Sequence, residues 1–133
     1  MRLHRFTFGA LGSLFGLLGV ALGAFGVHGL EGRISPAELE TFGTAAHYQM
    51  LHALALLAVA LLPPGRDGKG GGVAGWAFTL GIFLFSGSLY LMVFTGQRWL
   101  GAITPLGGVA FLAGWGALGW RFFTLTREEG NHD

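Results

Sequence analysis

The chain has 133 residues, 52% of them hydrophobic and 11% charged, with no cysteine and a net charge of +1. So few charges cannot cover a soluble domain, in which about a quarter of residues are charged, and a near-neutral balance gives no support for nucleic-acid binding. Without cysteine there are no disulfides and no thiolate chemistry.

Four windows, 6–30, 41–65, 70–97 and 99–120, contain no Asp, Glu, Lys or Arg. Each exceeds the roughly 20 residues a helix needs to cross about 30 Å of hydrocarbon. Backbone groups in lipid must be satisfied within the segment, so the windows predict helices. The expected class is an all-α integral membrane protein: a four-helix transmembrane bundle in a single domain over 1–133, with spans near 6–27, 45–62, 73–95 and 103–122.

Span 1 carries Gly9, Gly12, Gly16, Gly19, Gly23 and Gly26 at steps of 3 and 4. Each glycine costs about 1 kcal/mol in a helix interior relative to alanine. Helices in membranes associate by close packing, which small residues permit, so the stripe predicts a groove for another helix. That helix is either a neighbour in the bundle or one from another subunit; a lipid tail is the third occupant. The rival reading of this segment is a cleaved signal peptide, but its apolar run is longer than the usual 7–15 residues or so.

Between spans 1 and 2, Ser35-Pro36-Ala37-Glu38 has the form of a capping box, with Pro36 at the first helical position. A short interfacial helix is expected over 36–44, bending near Gly43 into span 2. The Pro- and Gly-rich stretch 63–72 predicts a sharp turn after span 2. Span 4 repeats the small-residue pattern at Gly107, Ala110, Gly114 and Ala117, and span 3 has a weaker version at Ala74, Ala77, Gly81 and Ser88. The tail from Thr126 is expected to fray.

Arg2, Arg5, Arg66, Lys69, Arg121 and Arg127 fall on one side of a four-span topology, and only Arg33 and Arg98 on the other. The excess predicts a multi-pass protein of the inner (plasma) membrane with both termini cytoplasmic. His28, Tyr48, Gln49, His52, Tyr90, Thr95 and Thr104 then all lie toward the extracytoplasmic half, with Ser86 deeper. Tyr48, Gln49 and His52 share a helix face. Three readings of this cluster stand side by side. It is a structural hydrogen-bond network; a site for a quinone, a lipid headgroup or another small molecule; or a metal or haem site on His28 and His52, for which two histidines are a weak signal. The expectation taken forward is one pocket near the extracytoplasmic surface, holding both His28 and His52, roofed by 36–44 and walled by Tyr90 and Thr104.

Enzyme motifs are missing: there is no H-E-x-x-H, P-loop or G-x-S-x-G, and no acidic residue falls within a span. The residues instead resemble a known family. Residues 23–57, "GAFGVHGLEGRISPAELETFGTAAHYQMLHALALL", with "SGSLYL" at 86–91 and "GAITPLGGVAFLAGW" at 101–115, resemble the transmembrane protein 256 family. Its bacterial branch is known as domain of unknown function 423. The resemblance implies about four spans and an inner-membrane location in bacteria. It implies no activity and leaves the cofactor unknown, but it places His28, Tyr48, Gln49, His52, Ser86 and Thr104 in a family pattern. The leading expectation is a non-enzymatic accessory protein, or one that binds a lipid- or quinone-like molecule. Its expected partners are membrane lipid and either a larger membrane complex or further copies of itself. A minimal oligomeric transporter or channel is the alternative, and a membrane enzyme using His52 as a base comes third.

Reporter fusions at Lys69 and after Asp133 are expected to read cytoplasmic, and one at Arg33 extracytoplasmic. A mature N-terminus near Phe25 would replace four spans with a cleaved leader.

Overall fold

The computed structural model describes residues 2–64 and 71–130. Every regular element among them is helical. Helix α1 (Arg2–Phe25) continues into a π-helical turn (Gly26–Leu30), and α2 spans Pro36–Leu61. Helix α3 (Gly72–Gly81) passes through a π-helical segment (Ile82–Gly87) into α4 (Ser88–Thr95). A 3-10 turn (Arg98–Ala102) leads to α5 (Thr104–Gly130). These form four stretches long and apolar enough to cross a membrane, His4–Leu30, Pro36–Leu61, Gly72–Thr95 and Arg98–Gly130. The expected turn at 65–70, with Arg66 and Lys69, lies outside the described residues, as do 131–133 of the tail.

The capping box forms: Ser35 Oγ accepts from Glu38 N at 3.1 Å, and Glu38 Oε2 accepts from Ser35 N at 3.0 Å. The separate interfacial helix over 36–44 does not. Residues 36–44 are the first turns of α2, which runs unbroken through Gly43. The reason is Phe42, which is fully buried with ring neighbours Phe25, Tyr90 and Phe94 at 6.3, 5.0 and 5.8 Å. That aromatic contact holds the start of α2 against α1 and α4, not along a membrane surface. The tail expected to fray from Thr126 is helical to Gly130; Arg127 lies over the Phe123 ring at 4.6 Å, one turn back.

Helix α2 is the inner element. Half of its apolar window is buried, against 22% for the first and last stretches. Helix α1 lies along it in antiparallel register. A Cβ added at Gly12, Gly19 or Gly26 would come within 2.9 Å of Ala53 O, 2.7 Å of Met50 Sδ and 2.9 Å of the Phe42 ring. The tight glycines therefore recur every seven residues, as a helix seam requires. Gly9 and Gly23 face Ala60 and Ala46 at ordinary contact distances, 3.7 and 4.0 Å, and Gly16 meets nothing within 4 Å. The stripe is a groove for α2 at three positions, and Gly16 has no such role within the chain.

Helices α3 and α5 interlock by exchange. The Phe111 ring of α5 fills the space at Gly81, and the Phe78 ring of α3 fills that at Gly114. Phe8 of α1 does the same at Gly75. Gly107 sits directly on the backbone and side chain of Phe85, inside the π segment, and a Cβ there would collide with that backbone. A π turn admits one extra residue and so rotates the helix face after it by about 100°. That rotation presents Ser88 and Leu89 to the interior.

Gly107→Ala is expected to lower stability by about 1–3 kcal/mol through overpacking, because Phe85 backbone cannot yield as a flexible side chain does. Gly116→Ala, where a Cβ meets nothing, is expected to be neutral or stabilising by up to about 1 kcal/mol. Thermal unfolding of the two variants in detergent measures the contrast; equal melting temperatures would refute the close approach.

Candidate functional site

Several polar side chains in the bundle interior bond across helix boundaries, while buried Thr79 bonds back to Gly75 O of its own helix. Gln49 of α2 is buried; its Nε2 donates to Phe15 O of α1 at 2.9 Å, and its Oε1 accepts from Tyr90 Oη of α4 at 2.8 Å. One side chain thus ties three helices. Ser86, fully buried in the π segment, donates to Ala45 O of α2 at 2.7 Å. Ser88 Oγ and Thr104 Oγ1 pair at 2.7 Å across α4 and α5. Thr95 donates to Leu91 O within its own helix.

His52 of α2 is 2% exposed. Its Nδ1 lies 2.7 Å from Tyr48 O, and its Nε2 accepts from Trp115 Nε1 at 3.1 Å. A carbonyl only accepts and an indole N–H only donates, so these partners assign the neutral imidazole with its proton on Nδ1. The ring is stacked on Phe111 of α5, with centroids 3.5 Å apart and planes 6° apart. Both nitrogens are occupied and one face is covered, which leaves His52 neither a free base nor an open metal ligand. Tyr48 lies over Phe85 at 4.5 Å but is 37% exposed, and among the described residues its hydroxyl has no hydrogen bond.

The expected pocket holding both histidines is not formed. His28 is exposed in the turn that ends α1. Gly9 faces Ala60, Gly19 faces Met50 and Gly26 faces Phe42, so His28 is level with about residue 41 of α2. His52 lies about 11 residues deeper, some 16 Å along the axis at about 1.5 Å per residue. The reason is the early start of α2: the turns expected to roof a pocket are stacked beside the end of α1 and push His52 toward mid-span. The structure joins Gln49 with Tyr90, Ser88 with Thr104 and Ser86 with Ala45, and it brings His52 and Tyr48 together. Trp115 was missed by sequence reasoning. Its one signal is an indole N–H in mid-span, one turn after Phe111, which needs an acceptor.

Among the described residues no three His, Asp or Glu side chains converge as a metal site would require. Open space among the described residues is found away from His52. A groove of about 310 Å³ runs between the start of α2 and the end of α4, lined by Ser35, Glu38, Thr41, Met92, Val93 and Arg98 among others. Glu38 has Oε1 unengaged beside its capping bond, and Arg98 has no partner among the described residues.

This architecture, four apolar helices held by internal polar pairs, defines a small four-span helical membrane protein. The chain belongs to the family described as "Protein of unknown function (DUF423)", which it matches over residues 22–108. It is 52% identical to the UPF0382 membrane protein YwdK of Bacillus subtilis over 106 residues, covering 79% of this chain and 86% of that protein. It is 42% identical to a UPF0382 membrane protein of Haemophilus influenzae, covering 84% and 89%. No solved structure matches.

Gln49→Leu is expected to cost about 1–2 kcal/mol, the upper range for hydrogen bonds between membrane helices, because two bonds go at once and the Tyr90 hydroxyl loses its acceptor. Tyr48→Phe is expected to change nothing measurable. Unfolding of both in detergent gives the comparison.

Proposed function

We propose that this chain is a non-enzymatic accessory protein of the plasma membrane, with both termini cytoplasmic, and that it holds a lipid-like molecule by its headgroup at the extracytoplasmic rim. The observation that carries the reading is the groove at Glu38 and Arg98. It offers one unengaged carboxylate oxygen and one unpartnered guanidinium above the apolar side chains of Met92 and Val93. A zwitterionic phospholipid complements this set: its phosphate matches the fork of Arg98, its ammonium matches Glu38, and its chain follows the apolar wall. The groove lies beside the capping box, so its floor is a stiff helix end.

The buried polar groups support the same reading from the other side. Gln49, His52, Ser86, Ser88, Tyr90 and Thr104 are engaged with one another or with backbone carbonyls. Closed pairs of this kind favour holding a shape over conducting an ion or passing a proton. The accessory role follows from the outward faces of α1 and α5, which remain apolar over most of their length and suit a neighbouring membrane protein or a second copy as well as lipid.

A photoactivatable phosphatidylethanolamine, cross-linked to the protein in bilayers, is expected to label the segment 92–98, and Arg98→Ala is expected to reduce that labelling about tenfold, the worth of one charged hydrogen bond. Labelling that avoids the groove, or that Arg98→Ala leaves unchanged, would end the proposal.

A further inference from the structure

The opposite end of the bundle holds two arginines that meet no carboxylate among the described residues. Arg5 of α1 donates from Nε to Ala60 O at 3.0 Å. Arg121 of α5 donates from its terminal nitrogens to Pro63 O at 3.0 Å and to Thr124 Oγ1 at 3.1 Å. Ala60 and Pro63 bracket the last residues of α2, so both guanidiniums sit on its carbonyl end. The two acceptors are three residues apart, which limits their separation to about 10 Å of chain. A helix C-terminus presents only about half a negative charge, and two full positive charges meet it.

Arg121 is 8% exposed, and its Nε is buried with no hydrogen-bond partner. Among the described residues neither arginine has an ion pair. On α5 the nearest carboxylates are Glu128 and Glu129, about 10–12 Å further along the helix axis. A cation withdrawn from water is costly unless an anion or a full set of acceptors replaces its hydration. Among the described residues Arg121 has acceptors for two of its five N–H groups and no anion.

We infer that this corner binds a phosphate group, with Arg121 and Arg5 as its cationic ligands. Phosphate supplies the missing charge and several acceptor oxygens in a geometry that a guanidinium fork matches. The corner also lies at the end of a membrane-spanning stretch, since α2 stops at Leu61 and Pro63 and Pro64 follow. The phosphate is that of an anionic lipid headgroup or a free phosphate ion, two sources with one chemistry. This site is separate from the groove at Arg98, which is at the other end of α2, and it stands whether or not that groove binds lipid.

The test uses the full chain in detergent, with dioleoyl phosphatidylglycerol and inorganic phosphate as separate probes. Native mass spectrometry and thermal unfolding are read for the parent protein, Arg5→Gln, Arg121→Lys and Tyr48→Phe. Phosphatidylglycerol is expected to be retained and to raise the melting temperature. Arg5→Gln and Arg121→Lys are each expected to weaken retention about tenfold, and Tyr48→Phe to leave it unchanged. Arg5 is exposed, so Arg5→Gln keeps the test open should Arg121→Lys not fold. Stabilisation by the lipid alone assigns the site to a headgroup; equal stabilisation by inorganic phosphate assigns it to the free ion. The inference falls if neither probe binds, or if both arginine variants bind as the parent does. It also falls if Asp67→Asn destabilises the protein as much as Arg121→Lys and abolishes no lipid retention, since Asp67 would then be the counter-ion.

Discussion

Hydrocarbon gives apolar helices no reason to associate by burial, because a leucine is as well solvated by acyl chains as by a neighbouring helix. Whatever holds this bundle together must come from close contact and from polar groups that lipid cannot satisfy. Both converge on α2. Its buried face receives the tight glycines of α1, and its Gln49 bonds to α1 and α4 at once. Without α2, α1 would keep little beyond the contacts of Phe8 with Gly75 and Trp76 and of Phe15 with Phe83, while the second half of the bundle is held by the glycine–phenylalanine contacts and the Ser88–Thr104 pair.

That dependence explains why the interior polar residues are closed upon one another. An unpaired amide, hydroxyl or imidazole in lipid would cost several kcal/mol. Each one here is placed against a partner on another helix or against a carbonyl of its own. His52 shows the consequence most clearly. Two hydrogen bonds assign its tautomer and Phe111 covers its face, so an ionisable residue in mid-span behaves as a shaped piece of the core. Residues of this kind specify which helices meet and in what register. They leave chemistry, where there is any, to the rims.

The two rims differ in kind. At the α2 start, a capping box meets the end of α4 across a groove that carries one acid and one base. At the α2 end, two arginines sit on terminal carbonyls and no acid accompanies them among the described residues. A zwitterionic group suits the first and an anionic group the second. The helix dipole of α2 points the same way: its positive end tolerates Glu38, and its negative end draws Arg5 and Arg121.

The sequence alone determined the class, the number of spans and the start of α2. Charge-free windows, membrane thickness and the Ser35–Glu38 pattern are local facts that need no knowledge of neighbours. It also named nearly every side chain of the polar network, because a Gln or His in a span must find a partner somewhere. It did not determine which partner. The pairing of Gln49 with Tyr90 and Phe15 O depends on the register of three helices. The depth of His52 depends on α2 beginning beside α1 rather than on the membrane surface, a choice made by the burial of Phe42. The π segment at Ile82–Gly87, the role of Trp115 and the idle position of Gly16 share this origin. Periodicity says that a face exists, and only packing decides what lies against it, since one inserted residue in a turn moves every later side chain to a new face.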